Sequence, residues 1–356
     1  MVTNDISGDQ RMHRICNTLT EHGYYVSLVG RVLSSSPPLA SFPFEQKRLK
    51  CWFNKGKLFY LEFNVRLILY LLFKPYKIIG AVDLDTLLAA YILSRIKKTA
   101  LFYDAHEHFT EQFEIVDRPI VKSIWLGMEN WLVPKTTCSY TVNESLAQYY
   151  KKVYGMDVAY IRNVPVLEPV RSGVGKDYFI YTGAVNEGRG LELLIKCMKH
   201  FPHKLYICGQ GDILEELKGL VNKLKLQEQV IFTGFLQPDE LRLMTQEALL
   251  GFNLLDKRGK SYYLSLANKF FDYIHAEIPQ VCMDFPEYQK VNEQFEVACL
   301  VNLNEAEVVG AITNLVRNVD GVYDKLKNNT LVAKQKYNWQ RESTKLLDLF
   351  LIPFAD

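Results

Sequence analysis

The sequence predicts an α/β protein of two domains, each built on a parallel sheet, and three observations carry that prediction. Strand-like apolar runs alternate with helical patterns in two successive series, from YVSLVG to ESLAQYYKKVYG and from YFIYTG to PQVCMD. Such alternation is the pattern of βαβ units. Between the series lies RNVPVLEPVRSGVGKD (162–177), rich in Pro, Gly and charge and without periodicity, which reads as a linker. The length, 356 residues, exceeds one ordinary core and suits two domains of roughly 150 to 200 residues.

The elements follow in order. MVTND is a strand-like run cut short, which points to a natural start upstream of Met1. SGDQRMHRICNTLTEHG reads as a loop, a helix and a terminating Gly23, and YVSLVG (25–30) as the next strand. After a basic segment come KIIGAV (77–82), a helix from Thr86 to about Ile96, ALFYDA (100–105), a helix near Ile120 to Leu132, CSYTV (138–142) and the helix of ESLAQYYKKVYG. The second series is YFIYTG (178–183), a helix from Leu191 to about His200, KLYICG (204–209), a helix to about Leu226, QVIFTG (229–234), a helix from Pro238 to Glu247, LLGFNLL (249–255), a helix capped by Asn268, and PQVCMD (279–284). DFPE reads as a turn after that last strand. KQKYNWQRESTKLLDLF (334–350) reads as one long helix able to pack back across the hinge. The expected divisions are 1–164, 165–335 and a crossover helix at 336–356.

Composition narrows the function. A net charge of +2 does not suit wholesale nucleic-acid binding. Charge is nevertheless uneven: between Lys47 and Lys77 eight Lys or Arg stand against one acid, Glu62, interleaved with Trp52, Phe53, Phe59 and Tyr60. That segment is a candidate contact for an anionic membrane surface. Seven cysteines, odd in number and never spaced C-x-x-C, argue against a disulfide framework or zinc site and place the chain in a reducing cytoplasm. No signal peptide is recognisable, and the longest apolar run, LILYLLF (67–73), falls far short of the ~20 residues that span a bilayer. A soluble or peripheral protein is expected.

Four segments carry candidate chemistry. In SLANKFFDYIHAEIPQVCMDFPE (265–287) a helix start brings together free backbone N–H groups, Lys269 and Asp272. The first two suit a phosphate, and the carboxylate suits sugar hydroxyls. YTGAVNEGRGLELL (181–194) is a strand, a glycine-broken loop and a helix, with Arg189 at the loop's end and Gly190 permitting close backbone approach. Both lie at the carboxyl ends of strands, where open α/β sheets bind ligands, so two cations converging there fit a diphosphate. YDAHEHFTE (103–111) places Asp104, His106, Glu107 and His108 just after a strand, with no third ligand spaced for a metal. AVDLDT (81–86) holds Asp83 at a strand end, able to line a cleft, and Asp85, read as the cap of the following helix. No G-x-G-x-x-G or G-x-x-x-x-G-K-[ST] occurs, which disfavours a nicotinamide enzyme or a P-loop ATPase.

Taken in order, TNDISGDQRMHR, VDLDTLLAA, YDAHEHFTE, VNESLAQYYKKVYG with RNVP, YTGAVNEGRGLELL, ICGQGD, FTGFLQPDEL and SLANKFFDYIHAEIP followed by DFPE resemble a GT-B retaining glycosyltransferase. The similarity is greatest to family 4, of the kind that builds bacterial surface polysaccharides, and covers nearly the full length. It implies two Rossmann-like domains facing across a cleft, with the C-terminal helix returning to the N-terminal domain. A nucleotide-diphosphate sugar would lie on the C-terminal domain, a glycan or lipid-linked acceptor on the N-terminal one, and no metal or other cofactor would take part. By the resemblance Arg189 and Lys269 stabilise the departing phosphate, Asp272 holds ribose and His106 lies near the sugar. Gly8 belongs to the loop approaching the diphosphate, flanked by Asp9 and Arg11. Gly183, Gly190, Gly209, Ser265 and Asn268 complete the donor side, and Asp9, Arg11, Asp83 and Glu107 the acceptor side. Two positions depart from the pattern. Leu264 stands where the first acid of a pair is usual, leaving donor hydroxyls to Ser265 or backbone groups, and Glu277 replaces a glycine, which strains the chain if φ is positive there. The alternatives are a catalytically inactive nucleotide-sugar-binding protein of this fold and a nucleotide-sugar epimerase.

Overall fold

The computed structural model describes residues 1–171, 175–257 and 260–351, and the chain divides into two compact units, Met1–Asn163 with Glu342–Asp356 and Val164–Arg341. Residues 172–174 of the expected linker and 352–356 of the expected last helix lie outside the described residues.

The first unit runs α1 (Gln10–Glu21), β1 (Ser27–Val32), β2 (Glu45–Lys50), α2 (Gly56–Leu71), β3 (Ile78–Val82), α3 (Leu84–Lys97), β4 (Ala100–Ala105), α4 (Phe113–Val116), α5 (Pro119–Leu132), β5 (Cys138–Thr141), α6 (Glu144–Tyr154) and β6 (Ala159–Tyr160). Strands β3, β4, β5 and β6 form a parallel sheet in that order, and β1 and β2 form a parallel pair. The short opening run lies between them. Val2 donates to the Val29 carbonyl at 2.9 Å, while Val82 donates to the Met1 carbonyl at 3.1 Å, so Met1–Asp5 join the pair to the sheet. Strand β5 is buried along its length, as parallel strands covered on both faces are.

The expected helices and strands between 77 and 154 are present within a few residues of their expected bounds. Two strands of the first unit were not foreseen, nor was β12 (Ala298–Val301) of the second. β2, EQKRLK, is an edge strand, half-buried or exposed at every position, and its charges mask it as a solvated stretch. β6 has two residues, too few for any periodicity to show. Asp85 does not cap α3. It is the second helical residue, and the place before the helix is taken by Asp83 at φ 57°, which makes no capping bond.

The second unit runs β7 (Tyr178–Thr182), α7 (Leu191–Cys197), β8 (Lys204–Cys208), α8 (Leu214–Leu224), β9 (Val230–Gly234), α9 (Pro238–Glu247), β10 (Leu250–Asn253), α10 (Lys260–Tyr263), α11 (Asn268–Ala276), β11 (Gln280–Met283), α12 (Pro286–Phe295), β12 (Ala298–Val301), α13 (Glu305–Val316) and α14 (Val322–Lys336), and the last helix, α15 (Trp339–Leu351), begins in it and lies mostly in the first unit. The strands of the second unit form one parallel sheet in the order β12-β11-β10-β7-β8-β9. DFPE is not a simple turn, because Pro286 opens α12 at the first helical position, where its missing N–H is harmless.

The expected single helix at 334–350 is two helices. Asn338 separates them: its amide donates to the Lys334 and Gln335 carbonyls at 2.9 Å, and its carbonyl oxygen accepts the Arg341 N–H at 3.1 Å. One side chain thus closes α14 and opens α15. Helix α15 then continues from Glu342 within the first unit. Glu277 ends α11 at φ 61°, ψ 37°, the left-handed conformation that glycine adopts without strain, and its carboxylate pairs with Lys334.

Candidate functional site

In the second unit, α11 is fixed by its buried face, Phe270, Phe271 and Ile274, and by Tyr273. The Tyr273 hydroxyl accepts the Thr182 N–H and donates to the Phe252 carbonyl, each at 3.2 Å, so it ties the helix to β7 and β10. This sets Lys269 against the carboxyl end of β7. Its ammonium lies 3.5 Å from the Tyr181 ring centroid and 3.5 Å from where a Cβ on Gly183 would stand. Only 7% of Lys269 is exposed, and its Nζ has no hydrogen-bond partner among the described residues. Burial, and then the nearby Arg189 charge, hold its pKa well below the usual lysine value. The Arg189 guanidinium lies 4.9 Å from the Tyr262 ring centroid, and its Nε is likewise buried and unbonded among the described residues. A buried cation short of partners is unfavourable, and Lys269 with the half-buried Arg189 forms a site that an anion would complete.

The glycines around these cations let the loops pack closely on one another. Gly209 has φ 154°, and a Cβ there would stand 1.8 Å from the Gly183 carbonyl oxygen; Gly190, at φ 65°, would meet the Leu254 Cβ at 2.7 Å. Asn268 is not the N-cap of α11. Ala267 holds that place without a capping side chain, its N–H bound by the Tyr288 hydroxyl at 3.0 Å, and Asn268 is the exposed first helical residue. Asp272 is exposed on the same helix, and its charge favours the Lys269 ammonium. The Ser265 hydroxyl donates to the Tyr262 carbonyl at 2.8 Å, and Leu264 is half-buried beside it.

The first unit gathers a second cluster. Gly8 ends a 3-10 turn, Ile6–Gly8, with open space where a Cβ would be. Asp9 caps α1 by accepting the Met12 N–H at 3.0 Å. Arg11 is buried, donating to Asp104 at 3.0 Å and to the Ile161 carbonyl at 2.9 Å, with its Nε 3.0 Å from His106 Nε2. His106 Nε2 is also 3.0 Å from Asp104 Oδ2. Despite burial, the Arg11 and His106 charges hold the Asp104 carboxyl down to about 2, and Asp104 in turn raises the His106 pKa against its own burial. Asp9 and Arg11 therefore do structural work in this unit, and Arg11 with Asp104 fixes His106. His108 is buried with its ring centroid 4.2 Å from that of Tyr149, so it does not accompany His106.

Asp83 accepts the His106 N–H at 2.9 Å and lines a cavity of about 390 Å³ together with Asp85, Glu107, Arg31, Lys55, Phe59 and Tyr60. Burial raises Asp83 to about 8 and Asp85 to about 6. One Asp85 oxygen accepts from Thr3 at 2.6 Å; the other is buried with no partner among the described residues. Among the described residues no three His, Cys, Asp or Glu side chains are grouped to hold a metal ion.

Residues 168–330 match the family model Glycosyl transferases group 1. The matched segment contains Gly183, Arg189, Gly190, Gly209, Lys269 and Asp272. No curated protein matches the sequence. Sucrose-phosphate synthase from Thermosynechococcus elongatus is similar in structure, with a TM-score of 0.79 and 16% identity, over 96% of this chain and 92% of that one. HepE of Anabaena in complex with UDP-glucose gives 0.77 at 11% identity over 98% and 97% of the two chains. A glycosyltransferase from Rickettsia africae gives 0.70 at 11% over 100% and 97%. Similarity at such identities shows the fold, which is GT-B with two Rossmann-like domains.

Sequence reasoning missed several members of these clusters. Tyr181 and Tyr262, whose rings lie against the two cations, carry no motif of their own. Asp104 was legible as the residue two before His106, on the same side of an extended chain, but its pairing with Arg11 spans 93 residues. Asp85 was assigned to a cap because an aspartate beside a helix start is usually one.

Proposed function

We propose that the chain is a retaining glycosyltransferase of family 4 type, moving a sugar from a nucleotide-diphosphate donor to a glycan or lipid-linked acceptor in surface-polysaccharide synthesis. Lys269 carries the reading: a buried ammonium whose Nζ has no hydrogen-bond partner among the described residues, beside Arg189, at the end of a parallel strand. The group 1 match over the segment that holds both cations supports it, as do similar structures bound to UDP and UDP-glucose.

In this reading the backbone at Gly183, Gly190 and Gly209 lies along the diphosphate, and Asp272 accepts hydrogen bonds from ribose. Arg189 and Lys269 neutralise charge that grows on the leaving phosphate as the bond from the sugar's anomeric carbon to the phosphate oxygen breaks. The acceptor hydroxyl attacks from the same face, and its proton passes to the departing phosphate, so configuration is retained. Positive charge comes from these side chains, and the step calls for no metal or other cofactor. The acceptor's reacting end enters the cavity of Asp83, Asp85 and Glu107, beside His106, and Gly8 belongs to the loop that approaches the diphosphate. Leu264 and Ser265 border the donor sugar, and the apolar side chain favours a deoxy or otherwise less hydroxylated one. The protein works at the inner face of the plasma membrane, on an anionic surface reached through Lys47 to Lys77.

A specific observation favours one other reading. Leu264 supplies no carboxylate to the donor sugar, as a protein that binds nucleotide sugars without turnover would not. Donor consumption across a panel of nucleotide sugars separates the two. The transferase reading expects turnover with at least one donor, and Arg189→Ala and Lys269→Ala each to lower it by about 10²–10³ at saturating donor. Wild-type rates in both variants would remove the site, and binding without turnover on any donor would favour the inactive protein.

A further inference from the structure

Helix α2 is apolar on two opposite sides. Phe59, Phe63, Leu67 and Leu71 form its inner stripe and are buried in the core of the first unit. Leu58, Leu61, Val65 and Leu69 form an outer stripe at the same helical spacing, and Leu61 and Leu69 are 65% and 60% exposed. A helix that covers a core and faces water is polar on its outer side; one that is apolar all round is surrounded by apolar material. Helix α5 shows the same feature, with Ile120 78% and Ile124 60% exposed. The two helices meet, since Tyr60 and Trp125 contact edge to face at 5.6 Å. Both outer sides belong to the first unit, on helices that touch.

The charge around these outer sides is mostly positive, with Asp117 an exposed acid beside Arg118. The acid of α2, Glu62, is occupied by the Trp52 and Phe53 N–H groups and by Arg66, and the acid of α5, Glu129, is buried. Neither helix exposes a carboxylate. Lys50, Lys57, Arg118 and Lys135 are exposed on or beside them, and Trp52 is exposed at the start of the segment.

We propose that the outer sides of α2 and α5 seat the protein on an anionic lipid surface, the apolar stripes entering the acyl boundary and the lysines meeting headgroup phosphates. The proposal rests on the membrane partner of the preceding reading and adds its apolar half, which involves a second helix outside the basic segment. A second copy of the chain is the less suitable occupant, because a two-fold contact would set these cations against their own equivalents. Among the described residues no helix is long and apolar enough to cross a membrane, so the contact is one of lying on the surface.

The test is flotation of the full chain with vesicles of phosphatidylcholine alone or mixed with phosphatidylglycerol, without donor. Binding to the mixed vesicles is expected to be at least roughly tenfold stronger than to the neutral ones and to fall with salt. Leu61→Glu with Leu69→Glu, and Ile120→Glu with Ile124→Glu, change exposed side chains and should each weaken it by roughly tenfold or more. Their melting temperatures and their rates with a water-soluble acceptor should stay near wild type. Absence of flotation, equal recovery on both vesicles, or unchanged flotation of both double variants would overturn the proposal. So would a wild-type dimer that the substitutions dissociate, which would assign the face to a second copy. A chain that floats but consumes no donor would instead retain this surface and lose the transferase reading.

Discussion

Lys269 and Asp83 are opposite cases of one rule, that a buried charge must find a partner or change its protonation. At Lys269 the missing partner is an anion. At Asp83 burial, opposed by the His106 charge and reinforced by Glu107 and Asp85, raises the carboxyl to about 8. A folded pKa above the unfolded one means that the native state holds the proton more tightly. The stability it contributes is full below the unfolded value of about 3.9 and is lost as pH rises through about 8. Asp83→Asn keeps an oxygen for the His106 N–H and does not ionise. Wild type is therefore expected to lose stability relative to the variant as pH rises across that window, by up to roughly 1.4 kcal/mol per pH unit. Urea midpoints of both proteins at several pH values check this, and parallel curves would show that Asp83 is not so perturbed. The sequence made Asp83 and His106 visible because each follows a strand directly, and Arg189 and Lys269 because each stands in a loop or at a helix start beyond a strand. It could not show that Arg11 is committed to Asp104, since that depends on contacts between distant segments.

At the scale of elements, the Lys269–Arg189 cluster depends on how firmly α11 is held. Tyr273→Phe removes the hydroxyl shared by Thr182 and Phe252, leaving a buried N–H and a buried carbonyl each short of a partner. A cost of about 1–3 kcal/mol is expected in chemical denaturation, together with reduced donor turnover because Lys269 is no longer fixed. Unchanged stability would mean that the packing of Phe270, Phe271 and Ile274 suffices. Buried central strands were legible in the sequence, as YFIYT and ALFYDA show, because parallel strands covered on both faces are nearly continuous apolar runs. What was not legible follows from context. Edge strand β2 is disguised by its own lysines, and the break at Asn338 depends on one side chain bonding carbonyls on one side and an N–H on the other. Glu277 was legible as a departure, and the structure adds its left-handed backbone and its partner, Lys334.

The molecule as a whole combines a Lys269–Arg189 cluster in one unit with a carboxylate-lined cavity in the other, on a fold shared with a sucrose-phosphate synthase and with HepE at 11–16% identity. At such identity the fold persists while single positions drift, which is why the order of the motifs carried more information than any one of them. The central claim is that Lys269 and Arg189 are completed by the diphosphate of a nucleotide. Calorimetric titration of UDP and GDP into the full chain tests it most directly. The expected result is binding of at least one of the two, and at least roughly tenfold weaker binding in Lys269→Ala. Binding that is equal in both proteins, or no binding of either nucleotide, would contradict the account.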